Sequence, residues 1–317
     1  MRRGIAICVL SGIVYASGYA SAAIVPYVAD ANTIALYHFD EAAGAADPGN
    51  PFINAGTGGA TLNLTNTGGP DGRNNATVGG YGGPAYAGFG SSFRPLLAGD
   101  GTNHGAVPTA TGGGAITAGT MNQTALQGVD GRFTYEALIN ISATTAEQQI
   151  LAHDGNPNRG FLFRVVSGTL DFYNGTASLN ALIPTTGTHA FEANQWFHVA
   201  VTYDGADATP GNLKFYWTRL DSGVEAANQI GSATLSLASD VVDNPNIFGV
   251  GTTTRNQFRA ELSGSIDEVR ISSVVRGPTD FLFGPAVAVP EPGSFAALAV
   301  GAFGLAWTLR RRRANAA

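Results

Sequence analysis

From Gly131 to Ser273 apolar and polar residues alternate with a period of two, the pattern of strands that bury one face on a shared core. Phe133, Tyr135, Ala137, Ile139 and Ile141 share one phase, with Thr134, Glu136, Leu138 and Asn140 on the other, predicting a half-buried strand. Gln149 to Asp154 predicts another. Gly160–Val166 and Thr169–Asn174 predict a pair joined at Ser167-Gly168, a two-residue connection suited to a tight hairpin. Trp196 to Tyr203 sets Phe197, Val199, Val201 and Tyr203 on one face. Asp204-Gly205 turns the chain, and Leu213 to Leu220 is the return strand. Asn246–Gly251 and Phe258–Ser273 complete this half of the molecule.

Upstream the signal is thinner. Thr33 to Phe39 predicts a first strand, ended by Asp40-Glu41. Between Gly44 and Asp130 the chain is diluted with Gly, Asn and Thr, leaving short strands at Ala60–Asn66 and around Phe89–Leu97. No internal repeat stands out. With 43 glycines and 13% charged residues, the composition suits many strands joined by turns and is too poor in Glu, Lys and Leu for amphipathic helices. The expected fold is all-β: a two-sheet antiparallel jelly-roll sandwich.

Both ends break the alternation. Arg2 and Arg3, an apolar run from Gly4 to Ala16 and the small-residue triplet Ala20-Ser21-Ala22 have the order of a secretory signal peptide, with cleavage expected after Ala22. At the other end Pro290-Glu291-Pro292 prevents a helix from starting before Gly293. The 15 residues from Phe295 to Leu309 carry no charge, and Arg310-Arg311-Arg312-Arg313 follow. That run is short of the roughly 20 residues a full span prefers, and the arginines keep its far end cytoplasmic. The implied map is a signal peptide (1–22), a short linker (23–32), one sandwich domain (33–283), a second linker (284–289), the C-terminal signal (290–313, with its helix at about 294–309) and a tail (314–317).

Setting the ends aside changes the charge. The whole chain has 17 Lys and Arg against 23 Asp and Glu; without six terminal arginines and Glu291 the balance is 11 against 22, a net of −11. Lys214 is the only lysine, so there is no electrostatic footprint for nucleic acid. The one cysteine, Cys8, lies in the signal segment, so no disulfide framework is available and the fold rests on its core.

Two resemblances attach to these residues. Pro290-Glu291-Pro292, the short apolar run and the arginine cluster resemble the PEP-CTERM sorting signal. That resemblance implies handling by an exosortase-type membrane peptidase in a Gram-negative-type bacterium and delivery to the cell surface, with membrane anchoring, transient or lasting, through the C-terminal helix. Three ordered segments, Ala35–Glu41, Trp196–Gly205 and Gly264–Ile271, resemble the laminin-G-like, concanavalin A-like jelly roll. The implication is a fold, and a fold does not settle function.

Strand alternation places Asp267 in phase with Val269 and Ile271, with Glu268 and Arg270 opposite, and a carboxylate on an apolar face needs a partner. Related jelly rolls often bind calcium, which implies that Asp40 or Glu41 meets Asp267 around one structural cation with backbone carbonyls. The other outcome is that Asp267 takes hydrogen bonds from loop amides or pairs with an arginine. Among the aromatics, alternation sends Phe215 and Trp217 to the core and leaves Tyr173 and Tyr216 as the surface candidates for stacking on sugar rings. No Glu-x-Asp-x-x-Glu run, Gly-x-Ser-x-Gly, His-Glu-x-x-His or Walker loop is present, and the five histidines are scattered. The reading is an exported, non-catalytic envelope or matrix protein that binds a polysaccharide or surface partner. The alternatives are a purely structural coat component and an unrecognised glycoside hydrolase or lyase.

Overall fold

The computed structural model describes residues 24–41, 51–67, 83–93, 95, 105–108, 120–155, 159–223, 225–236, 246–252, 260 and 262–283, all within one compact unit, Ala22–Pro285. The expected signal peptide with Ala20 and Ala22, and the sorting signal with Pro290, Glu291, Pro292, its helix and Arg310 to Arg313, lie outside the described residues. No helix among the described residues is long and apolar enough to cross a membrane.

The strands, in chain order, are β1 (Thr33–Tyr37), β2 (Leu64–Thr67), β3 (Gly83–Pro84), β4 (Ser91–Ser92), β5 (Gly105–Pro108), β6 (Thr120–Met121), β7 (Phe133–Ile141) and β8 (Gln148–Asp154). They continue with β9 (Arg159–Val166), β10 (Thr169–Tyr173), β11 (Ser178–Leu182), β12 (Trp196–Tyr203), β13 (Leu213–Arg219), β14 (Gln229–Ala233), β15 (Asn246–Val250) and β16 (Gly264–Ser272). A six-stranded sheet runs β1-β16-β7-β12-β13-β14 and an eight-stranded one runs β11-β10-β9-β8-β15-β5-β2, with β6 also on β15. Every pairing is antiparallel. This is the expected two-sheet sandwich.

Alternation builds the core between the sheets. Tyr135, Ala137, Ile139, Val199, Val201, Phe215 and Trp217 from one sheet meet Leu151, Phe161, Phe163, Leu170, Phe172 and Phe248 from the other, all buried. Packed rings fill the centre, with the stacked Tyr135 and Phe161 centroids 4.7 Å apart and the tilted Phe133 and Phe172 pair 5.4 Å apart. The Ser167-Gly168 hairpin forms as expected, with φ of 49° and 76°, both positive as the right-handed twist of the flanking strands favours. The free edge of β1 is closed by the following loop, whose amides at Ala55, Thr57 and Gly58 donate to Leu36, Thr33 and Ile34 carbonyls. Gly56 makes this possible, since a Cβ there would stand 2.5 Å from the Ile34 carbonyl oxygen.

Four expectations change. Ala60–Asn66 is not a strand: Gly59–Leu62 forms a 3-10 turn entered through Gly59 at φ 61°, and only Leu64–Thr67 pairs. The 23–32 linker is, over its described residues, a packed arm in which Tyr27 is buried. Strand β7 is buried on both faces rather than one, because that arm, Phe89 and Phe281–Phe283 cover the outside of the six-stranded sheet. Strand β16 carries a bulge between Asp267 and Arg270 with Glu268 at φ 46°, which shifts the alternation by one. Ile266, Val269 and Ile271 therefore reach the inter-sheet core. Asp267 instead lies opposite Leu138, a residue of the outer cluster, out of phase with Val269 and Ile271. The weakly patterned strands β5, β6, β11 and β14 were not legible, because each borrows its hydrogen bonds from a stronger neighbour.

Candidate functional site

Three groups of polar residues stand out, each positioned by the sheets. The first lies under the N-terminal arm. Glu136 on β7, His198 on β12 and Arg270 on β16 point away from the main core and meet beneath Tyr27. Arg270 Nε donates to Glu136 Oε1 at 2.6 Å, its guanidinium carbon sits 3.7 Å from the Tyr27 ring centroid, and its Nη2 donates to the Asp280 carbonyl at 3.1 Å. The Tyr27 hydroxyl donates to Glu136 Oε2, and His198 Nε2 lies 3.2 Å from the same oxygen. Burial pushes the Glu136 carboxyl up, but Arg270 and the bond from His198 outweigh it and hold the carboxyl below its usual range. Burial drives His198 the other way, to the neutral imidazole, packed against Phe281 and Phe283. Asp30 secures the arm's far end on Arg276 Nη2 through both carboxylate oxygens, at 2.9 and 3.0 Å.

The second group contains the expected cation ligands. Asp267 is fully buried; its Oδ1 accepts the Glu268 amide at 2.7 Å, and its Oδ2 has no hydrogen-bond partner. Burial, then the charges of Glu268 and Asp40, push this carboxyl up to about 9 despite the amide bond. Asp40 Oδ1 accepts the Ser91 amide at 2.7 Å, and a Cβ on Gly90 would fall 2.0 Å from that oxygen, so the loop closes over Asp40 only with glycine there. The Phe93–Ile266 bridge draws the same loop beside β16. Glu41 Oε1 accepts the Ile53 amide at 2.8 Å, and its Oε2 is buried with no hydrogen-bond partner. Among the described residues no three His, Cys, Asp or Glu side chains converge as a metal cluster, so a cation here would draw on Asp267, Asp40 and backbone carbonyls. A buried carboxylate oxygen without a donor fits such an ion. Glu268 faces the arm, taking the Tyr27 amide at 2.8 Å and His38 Nδ1 at 2.7 Å.

The third group lies on the outside of the eight-stranded sheet. With Leu170, Phe172 and Phe163 facing inward, the register lines up Asn180, Asp171, Arg164 and Gln149 across four strands on the other face. Ser178 and Tyr173 stand in the neighbouring row. Arg164 Nε donates to Asp171 Oδ2 at 2.7 Å, Nη1 to Glu147 Oε1 at 2.6 Å and Nη2 to Ser178 Oγ at 3.2 Å. Its guanidinium lies 5.7 Å from the Tyr173 ring centroid, and the Tyr173 hydroxyl donates to the Gly175 carbonyl at 2.5 Å. Tyr173 is half-buried, and Ser178 and Asn180 are exposed. Tyr173 thus keeps the surface position expected of it. Tyr216 does not: it is 3% exposed, with its ring 5.2 Å from Phe281, because the arm and the 281–283 segment cover its side of the sandwich. Nothing in the local pattern around Asp171 and Arg164 marked them, since they are ordinary alternating polar positions until register brings them side by side.

The family comparison agrees with this two-sheet sandwich. Residues 109–280 match the model of the concanavalin A-like lectin/glucanases superfamily, more than half of the chain, and the chain belongs to that family. Residues 288–313 match the PEP-CTERM protein-sorting motif, so this member of the family carries a sorting signal. Among solved structures, the binding domain of botulinum neurotoxin DC in complex with rat synaptotagmin II is similar at 14% identity, over 80% of this chain and 50% of that one, with a TM-score of 0.48. A Ruminococcus gnavus IT-sialidase CBM40 bound to alpha2,3 sialyllactose is similar at 14% identity, over 48% of this chain and 80% of that one, with a TM-score of 0.36. The chain spans about half the length of the neurotoxin binding domains it matches. No curated protein matches it.

Proposed function

We propose that this is an exported, non-catalytic carbohydrate-binding protein of a bacterial cell envelope or extracellular matrix. Its β9–β11 flank takes a polysaccharide, and its C-terminal motif is the substrate of an exosortase-type membrane peptidase. The observation that carries the binding role is the row of hydrogen-bonding side chains, Asn180, Asp171 and Arg164, beside Tyr173 and Ser178. Planar amides, a carboxylate and a guanidinium on a rigid sheet suit vicinal hydroxyls, and a half-buried tyrosine ring offers a sugar its apolar face. Asp171 and Glu147 are both engaged by Arg164, which supports binding over acid–base chemistry. A glycan array probed with the full chain tests this role: Tyr173→Ala abolishing the signal supports it, and a signal indifferent to both Tyr173→Ala and Asn180→Ala removes it.

A structural calcium ion at Asp267 and Asp40 belongs to the same reading, supported by the partnerless Asp267 Oδ2. Its charge would offset the cost of an ionised carboxylate in that setting and fix the loop at Gly90 against β16. Calorimetry of the full chain with and without calcium tests it; equal melting temperatures would remove the ion from the account.

A further inference from the structure

The charge arrangement on the β9–β11 flank bears on which polysaccharides it accepts. A site for acidic glycans needs a guanidinium or ammonium with its charge unspent. Arg164 is the one cation with a described side chain on this row, and it meets two carboxylates at 2.7 and 2.6 Å. Asp171 is 1% exposed and Arg164 14%, so this pair is set into the surface, whereas Glu147 at 44% stands toward solvent beside it. One guanidinium against two carboxylates leaves the cluster net negative. If Asp171 takes a proton, as its burial favours, the cluster is neutral; in neither state is it positive. The remaining groups, Ser178, Asn180 and Tyr173, are uncharged. They supply both donors and acceptors, which is what a sugar hydroxyl requires and a carboxylate or sulfate cannot fully use.

Resting on the carbohydrate-binding reading, we propose that this face selects uncharged polysaccharides, and that Glu147 and Asp171 determine this specificity by neutralising Arg164. A uronate or sulfate seated on the row would come within a few ångströms of Glu147, a repulsion worth roughly tenfold in affinity at a partly exposed site. Glu147 thus guards Arg164, and removing its charge exposes the guanidinium.

The test is affinity electrophoresis of the full chain at fixed ionic strength. Gels contain either neutral probes (β-1,3-glucan, galactomannan, xyloglucan) or anionic ones (alginate, polygalacturonate). The wild type is expected to be retarded by at least one neutral probe and at least tenfold more weakly by both anionic ones. Glu147→Gln, at an exposed position where folding is not at stake, is expected to raise retardation by alginate at least threefold while leaving the neutral probe within twofold. Asp171→Asn, checked for folding by its melting temperature, should likewise raise retardation by alginate. Anionic probes that bind the wild type as tightly as neutral ones overturn the specificity and leave the carbohydrate role standing. So does a Glu147→Gln variant with unchanged alginate retardation. No retardation by any probe overturns the carbohydrate reading itself.

Discussion

On the outside of the six-stranded sheet, Glu136, His198 and Arg270 are sealed beneath Tyr27 and Phe281–Phe283; on the outside of the eight-stranded sheet, Asp171, Arg164 and Glu147 form a comparable set that reaches water. Both combine one arginine with carboxylates at 2.6 to 2.7 Å and an aromatic ring at its side. What differs is the cover. The buried set has no access to a ligand, and each of its charges depends on its protein partners, so it acts as a lock for the arm. The open set is held by the same bonds but keeps its outer edge available. Chemistry that looks alike in composition is structural on one sheet and a candidate recognition surface on the other.

The comparison breaks most visibly at Arg270. Arg270→Ala leaves Glu136 buried without its main partner and is expected to cost about 3–5 kcal/mol in chemical denaturation. A loss under about 1 kcal/mol would mean the arm does not seal this face. Next in size is Asp267→Asn. Its carboxyl is raised from 3.8 to about 9, so it is charged in the unfolded chain and must be protonated or paired in the fold. The sign follows: the penalty is absent below the unfolded value, grows as pH rises, and levels off above about 9. At pH 7 without calcium the asparagine variant should be more stable by about 4 kcal/mol, and calcium should no longer raise its melting temperature.

Smaller effects separate the faces more finely. Asp30, held down to about 2 chiefly by its bond from Arg276, stabilises arm docking above the usual carboxylate range and loses that contribution as pH falls through its folded value. Hydrogen exchange of Tyr27 and its neighbours should therefore accelerate between about pH 4 and 2 before the core strands do. Asp30 is partly exposed, so the effect on global stability should stay under about 1 kcal/mol. Smallest of all, Glu147→Ala should change stability by no more than about 0.5 kcal/mol, because its pair with Arg164 is exposed; its consequence belongs to ligand choice.

Strands β7, β8, β9, β10, β12, β13, β15 and β16 could be read directly, since a period of two with aromatic and branched residues has no other low-energy solution once one face is buried. Tyr173 could be singled out as a surface ring from its phase, and Asp267 as a carboxylate in an apolar strand, although its phase put it on the wrong face of that strand. Tyr216 could not be placed correctly. The same alternation that removed it from the main core says nothing about a second layer laid on the opposite face by residues some 190 positions earlier and 65 later. The bulge at Glu268 was equally silent, because an inserted residue changes phase without changing composition.

What the sequence determined on its own is a disulfide-free, strand-built domain, an acidic balance, and two terminal segments unlike the rest, because periodicity, charge and cysteine count are properties of residues taken in order. The tertiary structure alone decided that Tyr27 closes over Glu136 and that Asp267 Oδ2 is left without a donor. Register and layer packing set those encounters, and both depend on pairings between distant segments that no local stretch of chain encodes.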